Sequence, residues 1–501
     1  MKIKPKSIVI VGGGTAGWMA VNSLLSSWRD TVKITLVESK DIGIIGVGEG
    51  STPYLKQYFS SLGIKESEWM PACDATYKAG ISFPDWSTKA GYESYFHPFF
   101  SKLDLKPADL FFHNSGLRRR GVKVDALPNH YFVSSQLIEL NKSPVPKIDL
   151  PFDVDYGYHF DSAKLGRFLK ERALKLGLTH VIGNVASVET SVDGHITAVN
   201  VEAQQSLNAD FFIDCSGFKG LLVNETLGLS FCSYKDSLFN DAAVAIPTNL
   251  ASHTEVPAQT VSRALTNGWS WKIPLTSRWG NGYVFSSDFI SPDSAETELR
   301  AHLGLLDADI EARHLKMRVG RLNQHWHKNC LAVGLSQGFI EPLEATALML
   351  IQFTIERFIS SFEDESKSDE LTKADYNKDL NKTFDGVRDY IVAHYKLNSR
   401  NDSTYWQACR EDARTPDSLA NLITIWDNGG DFESALKQQQ DSLIYLRPSW
   451  YCLFSGMGRF PSTSIEDTQS VPAYRAKEYC QKIAKKYFIS HQTQLEKIYQ
   501  N

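Results

Sequence analysis

The sequence predicts an α/β fold with a two-part, Rossmann-like dinucleotide-binding domain and a mostly helical module over it, on three observations. Ser7 to Val11 is a short apolar run rich in β-branched residues, followed by GGGTAG, then WMAVNSLLSSW with helical spacing, then the apolar run Val32 to Val37; this is a strand, turn, helix, strand unit. A second strand-like run, Phe211 to Ile213, ends in another glycine turn, DCSGFKG. From Phe362 onward the chain is charge-rich with helical patterning, broken at Asn428, Gly429, Gly430 and Pro448.

In the first unit Gly12, Gly14 and Gly17 form a GxGxxG array between strand and helix, where a tight turn and close approach to a pyrophosphate require residues without a Cβ. The helix amino terminus supplies free N–H groups and the positive end of the dipole to phosphate. Glu38 ends the second strand, placed to accept hydrogen bonds from a ribose. Thr15 and Ala16 within the turn, with Gly48, Gly217 and Gly334 further on, complete the expected cofactor set. The fingerprint alone serves FAD and NAD equally. The second glycine-ended strand is what a two-part FAD domain adds, and no second GxGxxG is present for a nicotinamide, so FAD with an external source of electrons is expected.

Helical periodicity from Phe160 to Leu176 leads into strand-like stretches around Val181, Ile196 to Val201 and Phe211 to Ile213. The stretch from about 100 to 150 carries several prolines, Asn114 and Asn129 and reads as an irregular, covering insertion. The expected partition is therefore a discontinuous FAD-binding domain of residues 1–100 and 150–360, with an insertion at 101–149 and a helical substrate module at 361–501.

A chain of 501 residues exceeds the size at which one core stops growing. Its 42% hydrophobic and 22% charged residues are those of an ordinary globular enzyme. A net charge of -5 from 53 basic and 58 acidic residues, interspersed, argues against nucleic acid or an anionic membrane as partner. The seven cysteines are scattered with no C-x-x-C pair, which argues against a disulfide framework and a zinc site; no metal ligand set is expected. The apolar run after the basic start MKIKPKS is too short for a signal core, and no run spans a membrane, so a cytoplasmic location is expected.

GVGEGSTP (Gly46 to Pro53), ATYKAGISF around Lys78, GWSWKIP (Gly268 to Pro274) and GFIEPLEATAL (Gly338 to Leu348) occur in that order. Together they resemble the flavin-dependent tryptophan halogenases. The resemblance implies an FAD domain like that of aromatic monooxygenases, with a substrate pocket joined to the flavin by a tunnel. It also implies a chemistry: FADH2 from a separate NAD(P)H-dependent flavin reductase reacts with O2 to a flavin hydroperoxide. Chloride or bromide attacks this, and the resulting hypohalous acid travels to a small aromatic substrate. A homodimer is compatible with the resemblance.

Within it, Lys78 matches the essential lysine that delivers the electrophilic halogen, a role suited to a nucleophilic nitrogen tunable by burial. Glu344 matches the glutamate that polarises the halogenating species and accepts the ring proton; taken alone it reads as a helix-start acid, as does Glu341, for a helix from Glu341 to Ser361. Thr346 and Ala347 stand at a helix amino terminus suited to a halide. The relatives usually read E-S-T-G where this chain has Glu344, Ala345, Thr346 and Ala347, so a serine hydroxyl is missing and a glycine has gained a methyl group. Trp269, Trp271 and Ile273 alternate along a strand and point to one face, a wall that would partition flavin from substrate, or simply core. His97 and Phe99 match the aromatic pair that sandwiches the indole. Trp450 and Tyr451 match a Tyr-Tyr-Cys segment that holds the amino-acid part of tryptophan, so one phenol has become an indole. These departures shift the expected substrate from free tryptophan to an indole derivative. A direct aromatic monooxygenase and a decayed flavin-binding protein are the alternatives.

Overall fold

The computed structural model describes residues 4–41, 46, 48–202, 206–251, 255–363, 366, 368–439, 444–466 and 472–500. Val47 of the GVGEGSTP segment and the first three residues of the basic start lie outside them.

The first strand, Ser7–Val11, lies within a six-stranded sheet because it is apolar on both faces. It pairs in parallel with Lys33–Glu38 on one side and Phe211–Asp214 on the other. Thr179–Ile182 extends the sheet beyond the former, and Cys330–Ala332 beyond the latter, both parallel. The one antiparallel member is Trp326–His327 at the edge. The helix Thr15–Trp28 follows the first strand and packs against the helices Ser162–Lys175 and Ala347–Ser361. The turn between them fixes its glycines. Gly12 has φ +117°, and a Cβ there would meet the Cys215 carbonyl oxygen at 2.1 Å; a Cβ on Gly17 would meet the Gly12 oxygen at 2.0 Å.

An eight-stranded sheet forms the second layer, in the order Arg313–Lys316, Ala242–Ala245, Arg278–Phe285, Gly268–Pro274, Gln259–Leu265, Gly80–Pro84 and Ser94–Pro98, with Thr248–Asn249 paired to Arg278–Phe285. All its pairs are antiparallel except that between Gln259–Leu265 and Gly80–Pro84. One continuous core joins it to the helices of the carboxy-terminal half, among them the long Asp369–Leu397. A small sheet of Glu49–Gly50, Gly157–Phe160 and Thr76–Lys78 sits beside it and carries Lys78, opposite Gly157.

Three sequence expectations need correction. The 101–149 stretch is not irregular: it contains the helices Leu105–Arg119 and Val133–Glu139 and the strand Lys142–Pro146, which pairs with Phe488–Ser490 near the far end of the chain. Its prolines misled because Pro107 lies in a first turn, where no N–H is needed, and Pro144 and Pro146 lie on a two-stranded ladder. Pro448 likewise opens the helix Arg447–Gly456 instead of breaking one. The last correction concerns the helix expected from Glu341, which begins at Ala347, after a 3-10 turn Pro342–Glu344 and a left-handed Ala345 with φ +56°. No helix among the described residues is long and apolar enough to cross a membrane.

Candidate active site

A cavity of about 590 Å³ runs from the first glycine turn to Lys78. Gly12, Gly14, Thr15, Ala16, Glu38, Gly48, Gly217 and Gly334 all line one end of it. Gly17 does not; its place in the fingerprint is explained by its packing against Gly12. This end fits a flavin dinucleotide. The helix Thr15–Trp28 has no side-chain cap, so its first N–H groups face the cavity. Glu38 receives Lys170 and His180 on Oε1, and its Oε2 lies over Gly13, where a Cβ would come within 1.9 Å. Gly13 is thus required as well, a need that the GxGxxG spacing does not express.

Trp269, Trp271 and Ile273 line the middle of the cavity from one face of their strand. The indole N–H of Trp269 donates to Glu341, which also accepts from Asn240 and Tyr395. Glu341 is therefore a buried anchor for the wall, not the first-turn acid expected of it. Trp271 lies over Gly282 on the neighbouring strand, where a Cβ would meet the ring at 2.0 Å.

Lys78 lines the far end, fully buried. Among the described residues its Nζ has no hydrogen-bond partner, and it lies 5.5 Å from the Phe99 ring centre. Burial pulls its pKa down to about 7, against the charge of Glu344, which favours the ammonium. Glu344 is buried, with His97 Nδ1 3.1 Å from Oε2 and His394 Nε2 3.1 Å from Oε1. Burial alone would raise its pKa, but the two imidazoles, His97 first, outweigh this and hold it at about 2. His394 is tied at its other nitrogen to the Tyr390 carbonyl, 3.0 Å away, so that nitrogen carries a proton.

His97 and Phe99, two positions apart on one strand and its continuation, lie against Glu344 and near Lys78 respectively, but neither they nor Glu344 line the cavity. Trp450 lies one ring further out, edge-on to Tyr390 at 4.9 Å, with its indole N–H unpartnered. Tyr451 separates from it, because successive helical side chains diverge by a quarter turn or more. Its hydroxyl donates to Glu433 and its ring packs on Phe112 and Trp426. Ala347 lines the cavity at the start of its helix, whose amino terminus has no side-chain cap, while Thr346 is buried behind it.

Residues 7–473 match the tryptophan halogenase family. The chain belongs to that family. It is 38% identical over 446 residues to the tryptophan 6-halogenase SttH of Streptomyces toxytricini, covering 84% of each chain. It is 33% identical to the tryptophan 7-halogenase RebH of Lentzea aerocolonigenes, over 92% of this chain and 91% of that one. Among solved structures, BrvH, a flavin-dependent halogenase from Brevundimonas sp. BAL3, superimposes with a TM-score of 0.85 at 32% identity, over 99% of both chains. Members of the family are flavin-dependent enzymes that use FAD and a halide, take reduced flavin from a separate reductase and act on an aromatic substrate.

Sequence reasoning missed several residues around Lys78 and Glu344. His394 and Tyr390 come from the long helix Asp369–Leu397, where they sit one turn apart around the apolar Ile391, Val392 and Ala393 with no motif to mark them. Tyr445 stacks on Tyr390 with ring centres 3.6 Å apart. Thr260, a cavity residue on Gln259–Leu265, is set beside Gly50 and Lys78 by the parallel pairing of that strand with Gly80–Pro84.

Proposed function

We propose that the enzyme chlorinates or brominates an electron-rich arene, an indole derivative in preference to free tryptophan, using O2 as the oxidant and working in the cytoplasm beside its reductase. The observation that carries this is the fully buried, unpartnered Lys78 Nζ at the end of the cavity opposite the glycine turns.

Gly12, Gly14, Thr15, Ala16 and Glu38 would hold the dinucleotide, with Gly48, Gly217 and Gly334 closing around it. Reduced FAD, when bound there, supplies the activation of oxygen that oxidises halide to hypohalous acid. The uncapped amino terminus at Thr346 and Ala347 offers backbone N–H groups to the halide. Trp269, Trp271 and Ile273 keep the arene from the flavin end, so a small oxidant passes and an indole does not. Lys78 then presents the electrophilic halogen to the ring held between His97 and Phe99. As the carbon–halogen bond forms the halogen–oxygen bond breaks, the oxygen leaves as water with a proton from the Lys78 ammonium, and the ring proton passes to the Glu344 carboxylate.

Two features favour a substrate without the free amino acid group. The Trp450 indole offers a donor but no acceptor, so it cannot receive an ammonium hydrogen. The Tyr451 hydroxyl has its hydrogen committed to Glu433 and so cannot donate to a carboxylate. A site that lacks polar partners for a charged group does not select it.

The test is incubation with FAD, NADH, a flavin reductase and bromide or chloride against a panel of indoles, tryptophan and phenols. Halogen isotope doublets on indole derivatives, with tryptophan a poor substrate, are the expected outcome. Efficient turnover of tryptophan alone would overturn the substrate assignment, and hydroxylated products would overturn halogenation.

A further inference from the structure

Behind Lys78 lies a chain of side-chain hydrogen bonds that ends at the cavity. The Thr76 hydroxyl donates to the Pro274 carbonyl oxygen at 2.7 Å. His159 Nδ1 lies 3.0 Å from the same hydroxyl oxygen, and since that oxygen has committed its only hydrogen, the imidazole must be the donor. Burial, with Lys78 and His491 adding to it, keeps His159 from taking a second proton, so its Nε2 is an acceptor. Thr260 Oγ1, 2.9 Å from Nε2, therefore donates its hydrogen to His159. Every hydrogen in the chain is thus assigned by elimination, and the Thr260 oxygen faces the cavity with lone pairs only.

Lys78 Nζ faces the same spot. A methyl group built on Gly50 would lie 3.2 Å from Lys78 Nζ, 3.4 Å from Thr260 Oγ1 and 3.7 Å from the Ala345 Cβ. The amine and the hydroxyl oxygen thus border one spot beside Gly50. An amine carries N–H donors in either protonation state, and Nζ has no partner. Glu344 Oε2 is held by His97 Nδ1, and the Thr260 oxygen is an acceptor that a small movement of the lysine stem brings to Nζ.

We propose that Thr260 is a positioning residue for Lys78: held as an obligatory acceptor by the buried His159–Thr76 chain, it takes an N–H of the lysine and fixes the direction in which Nζ presents to the cavity. This rests on the role proposed for Lys78 in halogen transfer, but the contact itself is testable without it. The other charged or titratable groups around Lys78 are Glu344, with His97 and His394 behind it, and His159, with His491 behind it.

An acceptor stabilises an ammonium more than a neutral amine. The titration of Lys78 can be read directly from the pH dependence of its carbamoylation by cyanate, followed on the Lys78 peptide by mass spectrometry in the FAD-loaded enzyme. Thr260→Val, which keeps the shape and removes the hydroxyl, is expected to lower the midpoint by about half a unit to one unit. It should also lower kcat about tenfold with KM and FAD affinity little changed, and Thr260→Ser should restore both. Thr76→Val breaks the chain away from the cavity and is expected to shift the midpoint in the same direction by less. An unshifted midpoint in folded Thr260→Val, or in Thr260→Ala should the valine variant not fold, overturns the proposal. So does a serine variant that behaves like the valine one, and a wild-type midpoint in Thr76→Val overturns the part of the chain. Cyanate labelling requires no halogenated product, so an inactive wild-type enzyme would remove the proposed function while leaving this test intact.

Discussion

Replacing Lys78 by methionine is expected to abolish halogenation and to stabilise the protein by an amount that depends on pH. The side chain is fully buried with its amine unpartnered, and burial lowers its pKa from 10.5 to about 7. In the unfolded chain it recovers the ordinary value. Between the two, the unfolded state binds more protons, so the lysine's contribution to stability falls as pH falls through that window and is level below about 7. Methionine matches the length of the stem without the charge. The gain from Lys78→Met therefore grows by about 1.4 kcal/mol per pH unit on the way down, or about 2 kcal/mol between pH 9 and pH 7. Glu344 keeps its hydrogen bond with His97 and the neighbouring His394, so losing the lysine does not strand it. Equilibrium urea unfolding of wild type and variant at about pH 9, 8, 7 and 6 measures the difference. A gain that is the same at every pH would refute the buried, depressed amine, because it would mean that water or a counter-charge already solvates Nζ.

Glu344→Gln should leave the protein folded, since an amide still meets one imidazole, and slow turnover about a hundredfold or more in steady-state assays. Gly282→Ala drives a methyl group into the Trp271 ring; a loss of about 1–3 kcal/mol in unfolding free energy and more peroxide released per product formed are expected as the wall is displaced. Tyr451→Phe removes the hydrogen bond to Glu433 and should cost about 1 kcal/mol of stability with substrate KM unchanged; a raised KM would return Tyr451 to the substrate surface.

The glycine-turn end of the cavity was legible because its requirements are local. Strand, glycine turn, helix and Glu38 lie within about thirty residues, and backbone approach allows few substitutes at Gly12 and Gly17. The tryptophan wall was legible for a similar reason, since alternation along one strand sets its face. Lys78 and Glu344 were found through motif resemblance; nothing in their spacing, 266 positions apart, joins them. What stayed hidden depends on long-range pairing. His394 lies by Glu344 because the long helix packs into the core it shares with the eight-stranded sheet, and Thr260 borders the same spot as Lys78 because two distant strands run parallel. The helices within 101–149 were obscured by reading proline as a breaker without regard to its position in the turn.

On the proposed chemistry, the lining of the cavity also sets how long a molecule of this enzyme lasts. Between the glycine turns and Lys78 it carries the thiol of Cys215, the thioether of Met317 and two indoles, all of which hypohalous acid attacks. Each oxidant that finds no arene waiting is a chance of injury to the passage that conducts it. Working life should therefore be counted in turnovers instead of hours, and should lengthen when substrate is kept in excess. Peptide mapping after prolonged turnover without arene is expected to find sulfoxide at Met317 before oxidation of surface tyrosines, and the reverse order would mean that the oxidant escapes to solvent instead of traversing the cavity.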